Sequence, residues 1–96
     1  MKYFDFKTAA MLRVLDFDDM MILALLYDNY TGTQCGKILN ISQPAVSQRT
    51  TKISSVLPFK LLQPEGRAVK LTVEGRVLAS ACKVAIKIMT ESIIVR

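Results

Sequence analysis

The hydrophobic positions change period several times along the chain, and each change marks an element. Residues 3–15 place apolar side chains at 4, 6, 9, 10, 12, 14 and 15, an imperfect helical face that predicts a short N-terminal helix closed near Asp16. Asp16 or Asp18 can cap the next helix, with Asp19 in its first turn where a carboxylate meets the positive end of the helix dipole. That helix, over 18–29, is apolar nearly all round through Met20, Met21, Ile22, Leu23, Leu25 and Leu26. It must be covered on several sides, as the centre of the core or as part of a subunit contact.

Thr31 and Gln34 have the spacing of a capping box, which predicts a short helix over 32–39 with Cys35, Ile38 and Leu39 inward. Asn40 and Ile41 make a tight connection. Ser42 then caps a further helix, with Pro44 in the first turn where a missing N–H costs nothing. Val46, Ile53 and Leu57, with Thr50 between the first two, follow one helical face. The opposite face carries Gln43, Ser47, Gln48, Arg49, Thr51 and Lys52, all able to hydrogen-bond and none acidic. Pro58 ends the helix. From 59 to 72 the period falls to two around Pro64-Glu65-Gly66-Arg67, which predicts a β-hairpin with Arg67 at its tip and Lys70 close behind.

Thr72 caps a long final helix reaching about residue 94. Val77, Ala81, Val84 and Ile88 recur along it at 4-3-4 spacing, beside Leu78, Cys82, Ala85, Met89 and Ile93. That face is wider than a small domain covers at its far end. It either packs back on helix 18–29 or pairs with a two-fold mate through Val77, Leu78, Ala81, Val84, Ala85 and Ile88. The expected fold is mainly α with a small β-hairpin: one winged helix-turn-helix domain over 1–96 with a long C-terminal dimerisation helix. Its parts are an N-terminal extension (1–15), the helix-turn-helix (32–57), the wing (59–72) and the dimerisation helix (73–94).

A length of 96 residues allows one modest core and no second ligand-binding lobe, and 51% hydrophobic with 22% charged residues is a globular composition. The net charge of +5 is unevenly spread. Residues 1–30 hold three basic against five acidic residues, a balance of −2, whereas residues 31–96 hold ten against three, a balance of +7. A polyanion would dock on the C-terminal two-thirds, although a generic basic surface reads the same from charge alone. Cys35 and Cys82 stand far apart and there is no histidine, which excludes a zinc site of the usual ligand types and leaves both thiols as small core hydrophobes. No metal or cofactor is expected. Asp16, Asp18 and Asp19 read as helix capping rather than as acid–base or metal chemistry, and nothing points to an enzyme. The longest apolar stretch, residues 20–27, is too short to cross a bilayer. With no targeting signal in view, the expectation is a soluble, cytoplasmic, nucleoid-associated protein without a membrane partner.

A capped helix with a polar, basic free face beside a basic hairpin suits duplex DNA. The helix presents donors and acceptors to base edges in the major groove, while Ser, Thr and backbone N–H groups near its start grip phosphate. Gln43 and Gln48 match adenine, Arg49 matches guanine or phosphate, and the hairpin cations reach phosphates or the minor groove. The candidate DNA-contacting set is Thr33, Gln34, Ser42, Gln43, Pro44, Ser47, Gln48, Arg49, Thr51, Lys52, Arg67 and Lys70. A merely solvated helix face is the competing reading.

The stretch ISQPAVSQRTTKI followed by LPFKLLQPEGRAVKLTVEGRVL resembles the N-terminal DNA-binding domain of LysR-type transcriptional regulators, without a gap from about Thr31 to Gly75. The resemblance implies a sequence-specific regulator of transcription that binds palindromic double-stranded DNA as a homodimer. It places Gln43, Pro44, Ser47 and Gln48 at the groove, makes Arg67 the wing residue, and gives dimerisation to the helix after Gly75. The chain departs from that family in four places. Cys35-Gly36 stands where two alanines are usual, Pro64-Glu65 replaces a wing arginine and its neighbour, the first fifteen residues have no counterpart, and these 96 residues do not include the effector-binding domain that the resemblance would place after the last helix. The weakened wing and the apolar helix over 18–29 leave a second reading open, a winged-helix module that pairs with another regulator protein and antagonises it.

Overall fold

The structure, a computed structural model, describes residues 4–94; Tyr3, where the predicted first helix would begin, lies outside them. In chain order the elements are α1 (Phe6–Met11) with a 3-10 turn (Leu12–Val14), α2 (Phe17–Tyr27), α3 (Gly32–Leu39), α4 (Gln43–Val56), β1 (Leu62–Glu65), β2 (Ala68–Leu71) and α5 (Val73–Ile94).

Local chemistry accounts for the boundaries. Asp16 accepts the Asp19 N–H at 2.8 Å and Asp19 accepts the Asp16 N–H at 3.1 Å, a reciprocal box built from two acids that opens α2. Thr31 and Gln34 do the same for α3, at 3.1 and 2.8 Å. That helix ends on Asn40, whose φ of 59° gives the left-handed turn into the next element. The Ser42 hydroxyl accepts the Ala45 N–H at 3.2 Å at the head of α4. Leu57 is extended, as the residue before a proline prefers, and closes the helix ahead of Pro58.

The hairpin runs closer to its tip than the sequence pattern suggests. Pro64 and Glu65 belong to β1 rather than to the turn, because the register runs from Leu62 opposite Leu71 to Glu65 opposite Ala68. The turn is only Gly66 and Arg67, and Gly66 supplies the positive φ that such a turn needs, at 62°. Pro64 lies opposite Val69, where the strand position points its missing N–H away from the partner.

Helix α2 is the centre of the molecule. Leu23 packs in one cluster with Ile53, Leu61, Leu71, Ala79 and Cys82, and Ile22 packs in a second with Cys35 and Val46. The half-buried Leu26 touches both. An all-round apolar helix is thus covered by α5 on one side and by the α3–α4 pair on the other. Ile38, expected inward, is 51% exposed. The inner row of α3 is Cys35, Gly36 and Leu39, and Ile38 sits about 100° around the helix from Leu39.

Two glycines mark close approaches. A Cβ on Gly36 would lie 2.7 Å from the Ile41 carbonyl oxygen, so the residue that weakens helix propensity also lets the α3–α4 turn close. A Cβ on Gly75 would lie 2.5 Å from the Leu61 carbonyl oxygen. There the Thr72 hydroxyl donates to the Lys60 carbonyl at 2.6 Å and accepts the Gly75 N–H at 2.9 Å, which locks the head of α5 to the start of the wing.

Candidate nucleic-acid interface

Val46, Thr50 and Ile53 bury one side of α4, which fixes what the rest of the helix shows. Pro44, Ser47, Gln48, Thr51 and Ser55 form its exposed outer strip, and none of them is charged. The Thr51 hydroxyl donates to the Ser47 carbonyl at 3.0 Å, so its side chain offers a methyl group and an acceptor rather than a donor. Gln43 flanks the strip on the wing side, with its amide nitrogen 3.5 Å from where a Cβ on Gly32 would be. Gln43, Ser47, Thr51, Gln63, Arg67 and Arg76 line an open cleft of about 1040 Å³ between α4 and the hairpin.

Arg49 and Lys52 lie on the other flank, and here the structure corrects the expectation of a free basic face. The Arg49 guanidinium sits 2.9 Å from the Asp16 carboxylate, 3.0 Å from Asp19 and 3.9 Å from Asp18. Lys52 Nζ lies 2.6 Å from Asp19. Asp19 is fully buried, and its carboxylate takes the Asp16 N–H, Arg49 and Lys52 as donors. The physical reason is spacing: 45, 49, 52 and 56 share one flank of a 3.6-residue helix, and that flank faces the capped end of α2. The Asp19 backbone N–H, opposed by partial burial and helped by Arg49, holds the Asp16 carboxyl below its ordinary range. Asp16 and Asp19 in turn raise Arg49.

The remaining candidates divide by what they already bond. Thr33 is exposed in the first turn of α3, Gln34 spends its carbonyl on the cap, and Ser42 spends its oxygen on Ala45. Arg67 is exposed at the hairpin tip, whereas Lys70 pairs with Glu65 at 3.1 Å. Two further cations border the interface. Lys60 is exposed between α4 and β1 beside Thr50, Thr51 and Ser54, and Arg76 lies over the Tyr27 ring at 4.5 Å. In the sequence Lys60 falls within the period-two stretch read as the wing, where nothing singles it out as a DNA contact.

On α5 the structure shows the packing against helix α2 and leaves the expected pairing with a second copy as a proposal. The inner face packs on α2, and Leu78, placed in the dimer seam from sequence, is half-buried against the chain's own core; Ala85 is half-buried as well. Val77, Val84 and Ile88 are 70%, 51% and 58% exposed, with Ala81 exposed between them. Cys35 and Cys82 are buried free thiols, and burial pushes both up from the ordinary thiol range. Among the described residues no His, Cys, Asp and Glu side chains group to hold a metal, and no helix is long and apolar enough to cross a membrane.

No family model matches the sequence, and no curated protein matches it. Solved structures do. The chain superposes on the CbnR DBD–DNA complex with a TM-score of 0.69 at 18% identity, over 81% of this chain and 90% of that one. The BenM DBD/benA site 1 DNA complex gives 0.72 at 19%, over 82% and 89%. The probable transcriptional regulator PA0477 from Pseudomonas aeruginosa gives 0.73 at 24%, over 88% of this chain but 28% of that one. CbnR is a LysR family transcriptional regulator, and this chain spans about a quarter of such longer proteins. The chain therefore has the winged helix-turn-helix fold of the DNA-binding domains of LysR-type regulators.

Proposed function

We propose that the chain is a sequence-specific double-stranded DNA-binding regulator of transcription that acts as a dimer. The carrying observation is the exposed, uncharged outer strip of α4, hydrogen-bonding through Ser47, Gln48, Thr51 and Ser55 and set beside the exposed Arg67 of the hairpin, on a fold shared with proteins solved on DNA. Gln43, Pro44, Ser47, Gln48 and Thr51 enter the major groove. Thr33, Gln34 and Ser42, near the helix starts, approach phosphates. Arg67 and Lys70 lie on the backbone or in the minor groove, with Lys60 and Arg76 adding backbone charge. The exposed stripe Val77, Ala81, Val84 and Ile88 pairs with the same stripe of a second copy, and two modules about 34 Å apart read a palindrome.

A shift assay on palindromic and random duplexes across a salt series tests this reading. Affinity that falls steeply as salt rises supports it, because each phosphate neutralised releases counterions. Absence of binding to any duplex overturns it. That outcome favours the reading in which the module pairs with another regulator protein, for which the Glu65–Lys70 pair on the wing is the supporting observation.

A further inference from the structure

The ion pairs between α4 and α2 decide which bases the helix can read. We infer that the chain reads A·T pairs in the major groove through amide and methyl groups, and that Asp16, Asp18 and Asp19 keep cationic donors out of the groove by holding Arg49 and Lys52 on α2. This rests on the proposal that α4 enters the major groove.

Guanine is recognised mainly by two donors from Arg or Lys to O6 and N7, adenine by the donor–acceptor pair of Gln or Asn, and thymine by apolar contact with its methyl. The outer strip of α4 has no cation. Gln48 at its centre carries the adenine-matching amide. Thr51, one turn from Ser47, has committed its hydroxyl proton to the Ser47 carbonyl at 3.0 Å and so presents its methyl group. The two cations that could have supplied guanine contacts are turned away. Arg49 makes contacts of 2.9 and 3.0 Å to Asp16 and Asp19, and Lys52 makes one of 2.6 Å to Asp19. Drawing Arg49 into the groove would strip a partner from a carboxylate that is fully buried. The acids therefore act as positioning residues for specificity. They touch no base, and they set which donors remain to touch one.

Selection of bound duplexes from a fully randomised pool, with the 96-residue chain, tests the inference. The wild type is expected to enrich half-sites whose α4-contacted positions are A·T. Gln48→Ala should relax one adenine position by about 5- to 150-fold in discrimination. Gln48→Arg, an exposed change that leaves the core alone, should convert that position to guanine. Arg49→Gln should leave the enriched bases unchanged. Because that variant loses a partner of Asp19, Asp16→Asn with Asp18→Asn serves as its complement. Asparagine still caps α2, and the guanidinium, loosened to Asp19 as its one remaining acid, should add a guanine preference or steepen the salt slope by about one unit. A wild-type half-site containing a guanine that Arg49→Gln or Lys52→Gln randomises overturns the inference while leaving DNA binding intact. Failure to enrich any sequence, with no salt-dependent binding to any pool, overturns the DNA-binding reading itself and this inference with it.

Discussion

Helices α4 and α5 each bury one row of side chains in the same core, Ile53 on the first and Ala79 with Cys82 on the second, but their outer faces differ in kind. The outer face of α4 is polar and uncharged. That of α5 exposes valine and isoleucine along much of its length, from Val77 at 70% to Ile93 at 83%. Water tolerates the first indefinitely and penalises the second by about 25 cal/mol for each Å² of apolar surface left wet. The comparison teaches that burial alone does not classify a helix face. A polar strip is free to exchange water for another polar surface, whereas an apolar stripe is incomplete until another apolar surface covers it.

The comparison breaks most easily on α5. If the exposed stripe of α5 pairs with that of a second copy, Val84→Glu sets a carboxylate in the seam. The expected result is a dimer dissociation constant raised about a hundredfold or more, roughly 3 kcal/mol, with the melting temperature of the isolated fold unchanged. Sedimentation across a concentration series measures it. A variant that dimerises like the wild type would place the interface elsewhere, and Val84 would then be a surface valine without a partner.

Next in size comes the inner side of the same helix. Gly75→Ala puts a methyl 2.5 Å from the Leu61 carbonyl oxygen and 3.1 Å from the Thr72 hydroxyl, so either the wing or the head of α5 has to shift. We expect a loss of about 2–3 kcal/mol in chemical denaturation, although alanine is the better helix former. Unchanged or increased stability would mean that the wing moves away at little cost.

Much of this fold was legible because caps and breakers are local. Thr31, Gln34, Ser42, Pro44 and Pro58 each act on neighbours within a few residues, as Thr72 does in capping α5 through Gly75, and the elements they bound appear where the pattern put them. The hairpin was read one step too wide because Pro64 looks like turn chemistry, while its tolerance in a strand depends on which way an absent N–H points. The site was legible in outline and not in charge. Arg49 and Lys52 looked free since their partners, Asp16 and Asp19, lie some thirty residues earlier in the chain, and those acids already had a sufficient local explanation as caps. They perform both tasks. A residue whose role is satisfied locally hides a second, long-range role from any reading by spacing, and only the packing of α2 against α4 exposes it.

Arg49 also supplies a prediction about that packing. Arg49→Ala removes one of three donors from the buried Asp19 carboxylate while leaving Lys52 and the Asp16 N–H in place. Its side chain is 27% exposed, so water can replace part of what is lost, and a destabilisation of about 1–2 kcal/mol is expected. If Arg49 were instead a base reader held only loosely, the same change would lower DNA affinity and leave denaturation unaltered.

The smallest effect separates the two tasks of Asp16. Its carboxyl titrates below the ordinary range, first because the Asp19 N–H donates to it and then because Arg49 does. For an acid whose folded value is depressed, the stabilisation is complete above the unfolded value near pH 4 and is lost as pH falls through the lower folded value. Asp16→Asn keeps an oxygen for the Asp19 N–H and drops the charge, so at neutral pH it should cost less than about 1 kcal/mol, since the side chain is 55% exposed. Below pH 4 the difference between variant and wild type should shrink towards zero, because the wild-type carboxyl is then losing its charge too. Asp16→Ala loses the cap as well and should stay less stable than Asp16→Asn across the whole pH range. Denaturation curves for the three proteins at neutral pH and at successively lower pH decide the matter. A gap between wild type and Asp16→Asn that stays constant down to the lowest pH would show that the charge of Asp16 contributes nothing, and that Arg49 is held by Asp19 alone.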